Sequence, residues 1–297
     1  AHASHTVRPP AGPKPAGFFM PARASDNAAT PTLPPADTTP MPHDRYDIGV
    51  MRRDELDTVL LWAAREGWNP GRHDAACFHA ADPEGFLIGR LGGAPVASIS
   101  VVRYGADYAF LGLYIVAPEH RGQGLGWALW QAGMAHLAGR AVGLDGVLAQ
   151  QHNYRRSGFE LLHRNVRYAG RVPAPPAAGA VDLGNAALVD LRTLDAAAVQ
   201  QYDHAFFPAG RAAFLRAWIG QPGHHALGLL QRGQLAGYGV LRPCGVGHKI
   251  GPLFADTPEQ AELLLRALMA RAPAGSEVFL DTPEINPHAA ALARQHG

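Results

Sequence analysis

The sequence predicts a mixed α/β protein made of two related units. A helix–helix–hairpin–strand–helix–strand–helix order runs through the first half and recurs in the second. A proline- and alanine-rich stretch, GRVPAPPAAGA at 170–180, separates the two passes. The strand YAFLGLYIVA (108–117) is apolar nearly throughout, as suits a central strand covered on both faces. These observations place a tail at 1–44, a first unit at 45–169, a linker at 170–181 and a second unit at 182–297.

The tail carries ten prolines and no hydrophobic period, so it is expected to be disordered. Order begins near Tyr46. In DELDTVLLWAARE (54–66), Leu56, Val59, Leu60 and Ala63 recur at helical spacing. WNPG (68–71) breaks the chain, and a short helix follows through Ala75–Ala81. FLIGR and PVASISVVRY form a hairpin about Gly92-Gly93. After the apolar strand come a glycine loop and a helix to about Ala138. AVGLDGVLA (141–149) reads as a strand, Gln150–Ser157 as a short helix and FELLHRNVRYAG (159–170) as the final strand of the first unit. In the second unit DAAAVQQYDHAFF and GRAAFLRAWI are helical, ALGLLQRGQLAGYGVLR is a hairpin about Arg232-Gly233, and HKIGPLFA is a strand. A helix at 258–271, the strand EVFLDTP and a helix from Pro287 complete the pattern.

Composition removes several function classes. A hydrophobic fraction of 47% and a charged fraction of 17% over 297 residues suit a globular chain with room for two domains. The net charge of +1 gives nucleic acid no general footing. The 15 histidines show no metal-ligand spacing, so no metal is expected. Two cysteines, Cys77 and Cys244, are too few for a disulfide framework and fit a reducing, cytoplasmic compartment. No apolar run approaches the ~18 residues of a spanning helix, so no membrane partner is expected.

The stretch Arg121-Gly122-Gln123-Gly124-Leu125-Gly126 joins the apolar strand to the next helix. Glycines there cost conformational entropy, so something needs the bare backbone. N–H groups at a helix start are unpaired and carry partial positive charge. Glycines let an anion reach them, and Arg121 adds charge. The loop reads as a pyrophosphate cradle, against the plainer reading of a tight turn that packs a helix on a sheet. A P-loop needs a Gly-Lys pair, and the chain has none. The dinucleotide pattern fails as well: its third glycine position falls on Trp127 or Leu129, although Asp145 lies where a ribose-binding acid would.

Arg121, Gly124 and Gly126, preceded by the strand and the Pro118 turn, match the acyl-CoA signature Gln/Arg-x-x-Gly-x-Gly/Ala. Downstream, NYRRSGFE contains a Tyr-x-x-x-Gly-Phe from Tyr154 to Phe159. Over about residues 46–170 this combination resembles the GCN5-related N-acetyltransferase (GNAT) superfamily. The second half is similar to the partner module of the family's tandem two-module proteins, degenerate in its loop.

The resemblance implies a GNAT fold in two tandem modules and acetyl-CoA as co-substrate. The pantetheine arm would lie along Leu113, Tyr114, Ile115 and Val116 where a bulge splays the sheet. The pyrophosphate would sit on the amides of Arg121, Gly122, Gln123, Gly124, Leu125 and Gly126. Tyr154 matches the tyrosine that protonates the departing thiolate; the alternative is a phenol packed on the sheet. The family's cofactor-contacting asparagine falls near Val147 here, which leaves Asn153 as its substitute. For the general base, Glu119, His120, His73, Asp74 and a water relay stay open.

Trp68 and Asn69 of the WNPG turn, with Asp281 and Glu284 (near Asn286) from the second unit, are the candidate acceptor contacts. Trp127 and Trp130 lie on a helix apolar on two faces, which implies burial between layers. In the second unit Asp256-Thr257-Pro258-Glu259-Gln260 replaces the glycine loop, so one acyl-CoA per chain is expected. The family's closing strand would begin where LARQHG stands, so the second unit is expected to lack it. The reading is an N-acetyltransferase that moves acetyl to a primary amine of a small molecule by direct attack. The alternative is a non-catalytic protein that senses or binds acyl-CoA.

Overall fold

Gly92-Gly93 and Arg232-Gly233, all at positive φ, close the two hairpins from which the sheets grow. The computed structural model describes residues 20–21, 46–173 and 185–296. The expected tail, apart from 20–21, and the linker beyond residue 173 lie outside them.

A two-residue strand β1 (Met20–Pro21) pairs with a later strand of equal length, β7 (Phe159–Glu160). The first main sheet has the order β2 (Tyr46–Val50), β3 (Phe86–Leu91), β4 (Ala94–Tyr104), β5 (Tyr108–Val116) and β6 (Ala141–Leu144). Its neighbours are antiparallel except β5 and β6, which run parallel. Helices α1 (Arg53–Arg65) and α2 (Asp74–Ala81) connect β2 to β3, and α3 (Leu125–His136) connects β5 to β6. The short helix α4 (Gln151–Arg156) follows.

The expected final strand of the first unit is divided. After β7, the chain forms β8 (Asn165–Arg171), which joins the second sheet. That sheet has the order β8, β13 (Glu277–Pro283), β12 (His248–Ala255), β11 (Gln234–Pro243), β10 (His225–Gln231) and β9 (Ala186–Asp190). So a boundary at 169/170 cuts through β8, and the place beside β13 is filled by a strand that precedes the linker. Register supplies the reason. Arg167 stands opposite Asp281, and the guanidinium holds both carboxylate oxygens at 2.7 and 2.9 Å. Seven paired residues also outnumber the four of β6. The strand expected over 141–149 stops at Leu144 and turns away at Asp145-Gly146.

Three layers of core follow from these faces. The outer face of the first sheet, with Ile99 and Val101, packs on α3 through Leu129 and Trp130. Leu125, Leu129, Trp130 and Leu137 are buried as expected, whereas Trp127 is 49% exposed, contrary to expectation. Between the sheets, α1 and α2 meet α5 (Ala196–Asp203) and α6 (Ala212–Gly220) in one core with residues from both units. Phe78 lies 5.1 Å from Phe214 and 5.8 Å from Trp218, ring centre to ring centre. Beyond the second sheet, α7 (Pro258–Met269) and α8 (Pro287–Gln295) cover Leu227, Leu253 and Leu280.

Candidate functional site

The site begins as an irregularity in β5. Ser98 pairs with Ile115 and Ser100 with Gly112, so β5 carries one extra residue there. Leu113 takes φ +46°, and its carbonyl accepts the Ser98 hydroxyl at 2.8 Å. A leucine in the left-handed region is held there only by its surroundings, a mark of functional geometry. The neighbouring strand leaves at the same point: β6 pairs with β5 through Leu111↔Leu144 and no further. The sheet therefore splays, and a cavity of about 970 Å³ opens.

Leu113, Tyr114, Ile115, Val116 and Arg121 form one wall, and residues 144–151 with Tyr154 form another. Residues 161, 163–167, Glu66, Trp68, Leu111, Gly112 and Glu284 complete it. Glu284 follows β13, and its N–H donates to the Arg164 carbonyl at 2.8 Å. The second unit thus reaches the cavity through Glu284 and through β8.

The glycine loop sits at the end of the same strand. Gly124 stands at φ +80° as the residue before α3, and no side chain caps the helix. Among the described residues, the N–H groups of 122–127 donate to no carbonyl or side chain. Gly126 serves a different purpose. A Cβ there would lie 2.8 Å from a Val116 methyl and 2.9 Å from the Tyr114 hydroxyl, so its bareness lets α3 press against the bulged strand. Arg121 folds back: Nε donates to Val116 O at 2.9 Å and Nη2 to Glu66 at 2.5 Å. An anion here meets backbone amides first, with the guanidinium as fixed background charge. Gln123 donates to the Glu119 carbonyl at 3.1 Å; Gly122 to Gly126 lie outside the cavity wall itself.

Tyr154 is buried on α4, its ring 6.0 Å from Trp130, with Gly146 beneath it. A Cβ at Gly146 would come within 2.3 Å of the Tyr154 ring, so only glycine seats the phenol there. Burial raises the Tyr154 pKa, while a hydrogen bond from the Val147 backbone works against the rise. A phenol kept protonated at neutral pH on a cavity wall can donate a proton. Tyr114, beside it, is pushed up to about 12, by burial first and by Tyr154 second.

Other expected residues go elsewhere. Asn153 is exposed and donates to Gln150 at 2.6 Å, outside the wall. Asn69 joins the two units: its amide donates to Val246 O at 2.9 Å and accepts from Val246 N at 3.0 Å. Asp281 is buried against Arg167 and does not reach the cavity. Asp74 is buried 2.8 Å from Arg242 of the second unit, and His73 lies 6.3 Å from His224. The acid after the WNPG turn is thus a clamp between units, because burial makes it hold the nearest cation. Glu119 and His120 are also absent from the wall. Sequence reasoning missed His163, between β7 and β8, and Asn165 and Arg167, at the start of β8; none belongs to a motif.

The second unit repeats the splay but not the cradle. Gly239 pairs with Leu253 and Leu241 with Ile250, a bulge in the corresponding place. There the Trp218 indole donates to the Gly251 carbonyl at 3.0 Å and fills the space. At the start of α7, Thr257 and Gln260 bond each other's backbone N–H, so the amides are already satisfied.

A family profile described as "Acetyltransferase (GNAT) family" matches residues 53–159, and one described as "Acetyltransferase (GNAT) domain" matches residues 199–297. Holothin acyltransferase of Pseudoalteromonas sp. (strain SANK 73390) is 32% identical over 237 residues, 78% of this chain and 77% of that protein. A putative acetyltransferase from Pyrococcus horikoshii shares the fold with a TM-score of 0.66 at 20% identity, over 92% of this chain and 87% of its own. A tandem GNAT protein from the clavulanic acid biosynthesis pathway superposes with a TM-score of 0.56 at 18% identity, over 84% and 93%. With these profiles and this relative, the two splayed sheets, one leading into an open glycine loop, belong to an acyltransferase of tandem build. The chain belongs to the GNAT family of acetyltransferases, with two such modules in one polypeptide.

Proposed function

We propose that this acyltransferase moves an acetyl group from acetyl-CoA to a primary amine of a small molecule, by direct attack and in the first module. The observation that carries the reading is the alignment of three features on β5: the Leu113 bulge, the open amides after Arg121, and the cavity bordered by Tyr154. The bulge leaves strand edges for the amides of a pantetheine arm, and the loop suits a pyrophosphate. Val116 and Tyr114 stand between them. When bound, the thioester supplies the activated acyl carbon. The protein orients that carbon, excludes water with Trp68, Leu113 and Leu144, and offers the Tyr154 hydroxyl proton to the departing sulfur.

The cavity is also where the two modules meet, which suits an acceptor recognised by both. The name of the holothin acyltransferase supports a small-molecule acceptor. Cys77 and Cys244 are free and buried, which supports a reducing cytoplasm. The test is release of free CoA thiol from acetyl-CoA in a screen of primary amines. Turnover with at least one amine supports the reading. Saturable acetyl-CoA binding without thiol release from any amine would make this a sensing or binding protein.

A further inference from the structure

We propose that His163 is the general base that deprotonates the acceptor, held on the cavity wall by Asn165 and Asp145. The inference rests on the acyl-transfer reading and names a residue for its proton acceptor.

The geometry narrows the choice. Among the described residues, the cavity wall offers four groups able to take a proton other than the tyrosines: Glu66, Asp145, His163 and Glu284. Glu66 is engaged by Arg121 at 2.5 Å, and Asp145 accepts from Asn165 at 3.1 Å. Glu284 is exposed at the rim, where it is placed to attract an ammonium group. His163 is half-buried in the wall, with its Nδ1 enclosed and the Asn165 side chain beside the ring, so Nε2 is the nitrogen left to meet an acceptor. In the tautomer that carries its proton on Nδ1, the ring presents the Nε2 lone pair to the cavity and is suited to receive a proton.

The surroundings favour the neutral ring. Burial holds His163 below the usual imidazole range, with Asn165 beside the ring pulling the other way. Asp145, Tyr154, Arg164, Arg167 and Glu284 share the wall, and Arg167 is neutralised by its pair with Asp281. Asn165 opens β8 and spans from the ring region to Asp145, so the strand that crossed to the second sheet also sets the imidazole's position.

The proton balance closes. Converting an ammonium to an amide removes two protons from nitrogen. His163 takes the one that must leave before attack and passes it to solvent. The second is lost as the N–C bond forms and the C–S bond breaks. It replaces the proton that Tyr154 gives to the thiolate.

The experiment combines kinetics with ring titration in the full chain. CoA-thiol release is followed from pH 5 to 9 with acetyl-CoA and a panel of phenethylamine, putrescine, histamine and 2-aminothiazole. His163→Gln is expected to lower kcat by about 10²–10⁴-fold and to abolish the acidic limb of kcat/KM, with acetyl-CoA affinity unchanged. Asn165→Asp, which adds negative charge beside the ring, should move that limb to higher pH. In parallel, the His163 Cε1–H resonance should titrate below about pH 6.5. A ring charged at pH 7 overturns the proposal, as does a folded His163→Gln enzyme with near-normal kcat and an unchanged pH profile. Silence of the wild-type enzyme across the panel counts against acyl transfer, while the ring titration still decides the state of His163.

Discussion

Replacing Asp74 with asparagine separates a clamp from a catalyst. Asp74 and Arg242 are 168 residues apart in sequence and both buried, with Nε to Oδ1 at 2.8 Å. Gly71 N donates to the other oxygen at 2.9 Å, and the Arg242 guanidinium lies 4.7 Å over the Trp218 ring. Asparagine nearly preserves shape but leaves Arg242 charged and uncompensated. Breaking a buried pair in this way costs about 3–5 kcal/mol. At roughly 2–4 °C per kcal/mol for an ordered chain of this size, the melting temperature should fall by about 6–20 °C. The kcat of the folded fraction should be unchanged, because the pair lies outside the cavity wall. Asp74→Leu with Arg242→Met should recover most of the loss, since an apolar pair needs no counter-charge. The pH dependence has a definite sign. Burial alone would raise the Asp74 pKa, but the charge and hydrogen bond of Arg242 hold it below the ordinary value. The stabilisation is therefore complete above about pH 4 and fades as pH falls through the lower folded value. Calorimetry from pH 3 to 7 reads both effects. A melting temperature within about 2 °C of wild type, or a kcat that collapses in folded protein, refutes the clamp.

Tyr154→Phe should lower kcat by about 10- to 10⁴-fold with acetyl-CoA affinity nearly constant, measured by steady-state thiol release and equilibrium binding. Gly146→Ala, whose Cβ enters the Tyr154 ring space at 2.3 Å, should reproduce much of that loss by displacing the phenol. Gly124→Val puts a β-branched residue at φ +80° on the phosphate approach, and acetyl-CoA binding should fall at least tenfold in folded protein. Arg121→Ala removes a charge from the loop's surroundings and should cost binding less than about 1.5–3 kcal/mol, because its guanidinium is turned to Glu66. Titration calorimetry should give one acetyl-CoA per chain, as Thr257 and Gln260 close the second helix start; two equivalent sites would falsify the division of labour.

Much was legible because it is local. The period of Leu56, Val59 and Ala63 places α1, the Gly92-Gly93 and Arg232-Gly233 pairs place both hairpins, and Thr257-Pro258 announces α7. The glycine spacing after β5 specifies an open helix start. Each is decided within a few residues, by backbone sterics or by which N–H groups lack partners. Tertiary structure alone decided where β8 goes, since either sheet accepts an alternating strand and only the Arg167–Asp281 match across 114 residues selects one. It also decided the role of each acid. Asp74, Asp281, Asp145 and Glu284 look alike in sequence, and burial against a cation separates the first two from the cavity. His163 carries no local signal at all. Its place on the wall exists only because β6 stops at Leu144 and β8 crosses to the other sheet, opening the space the imidazole borders.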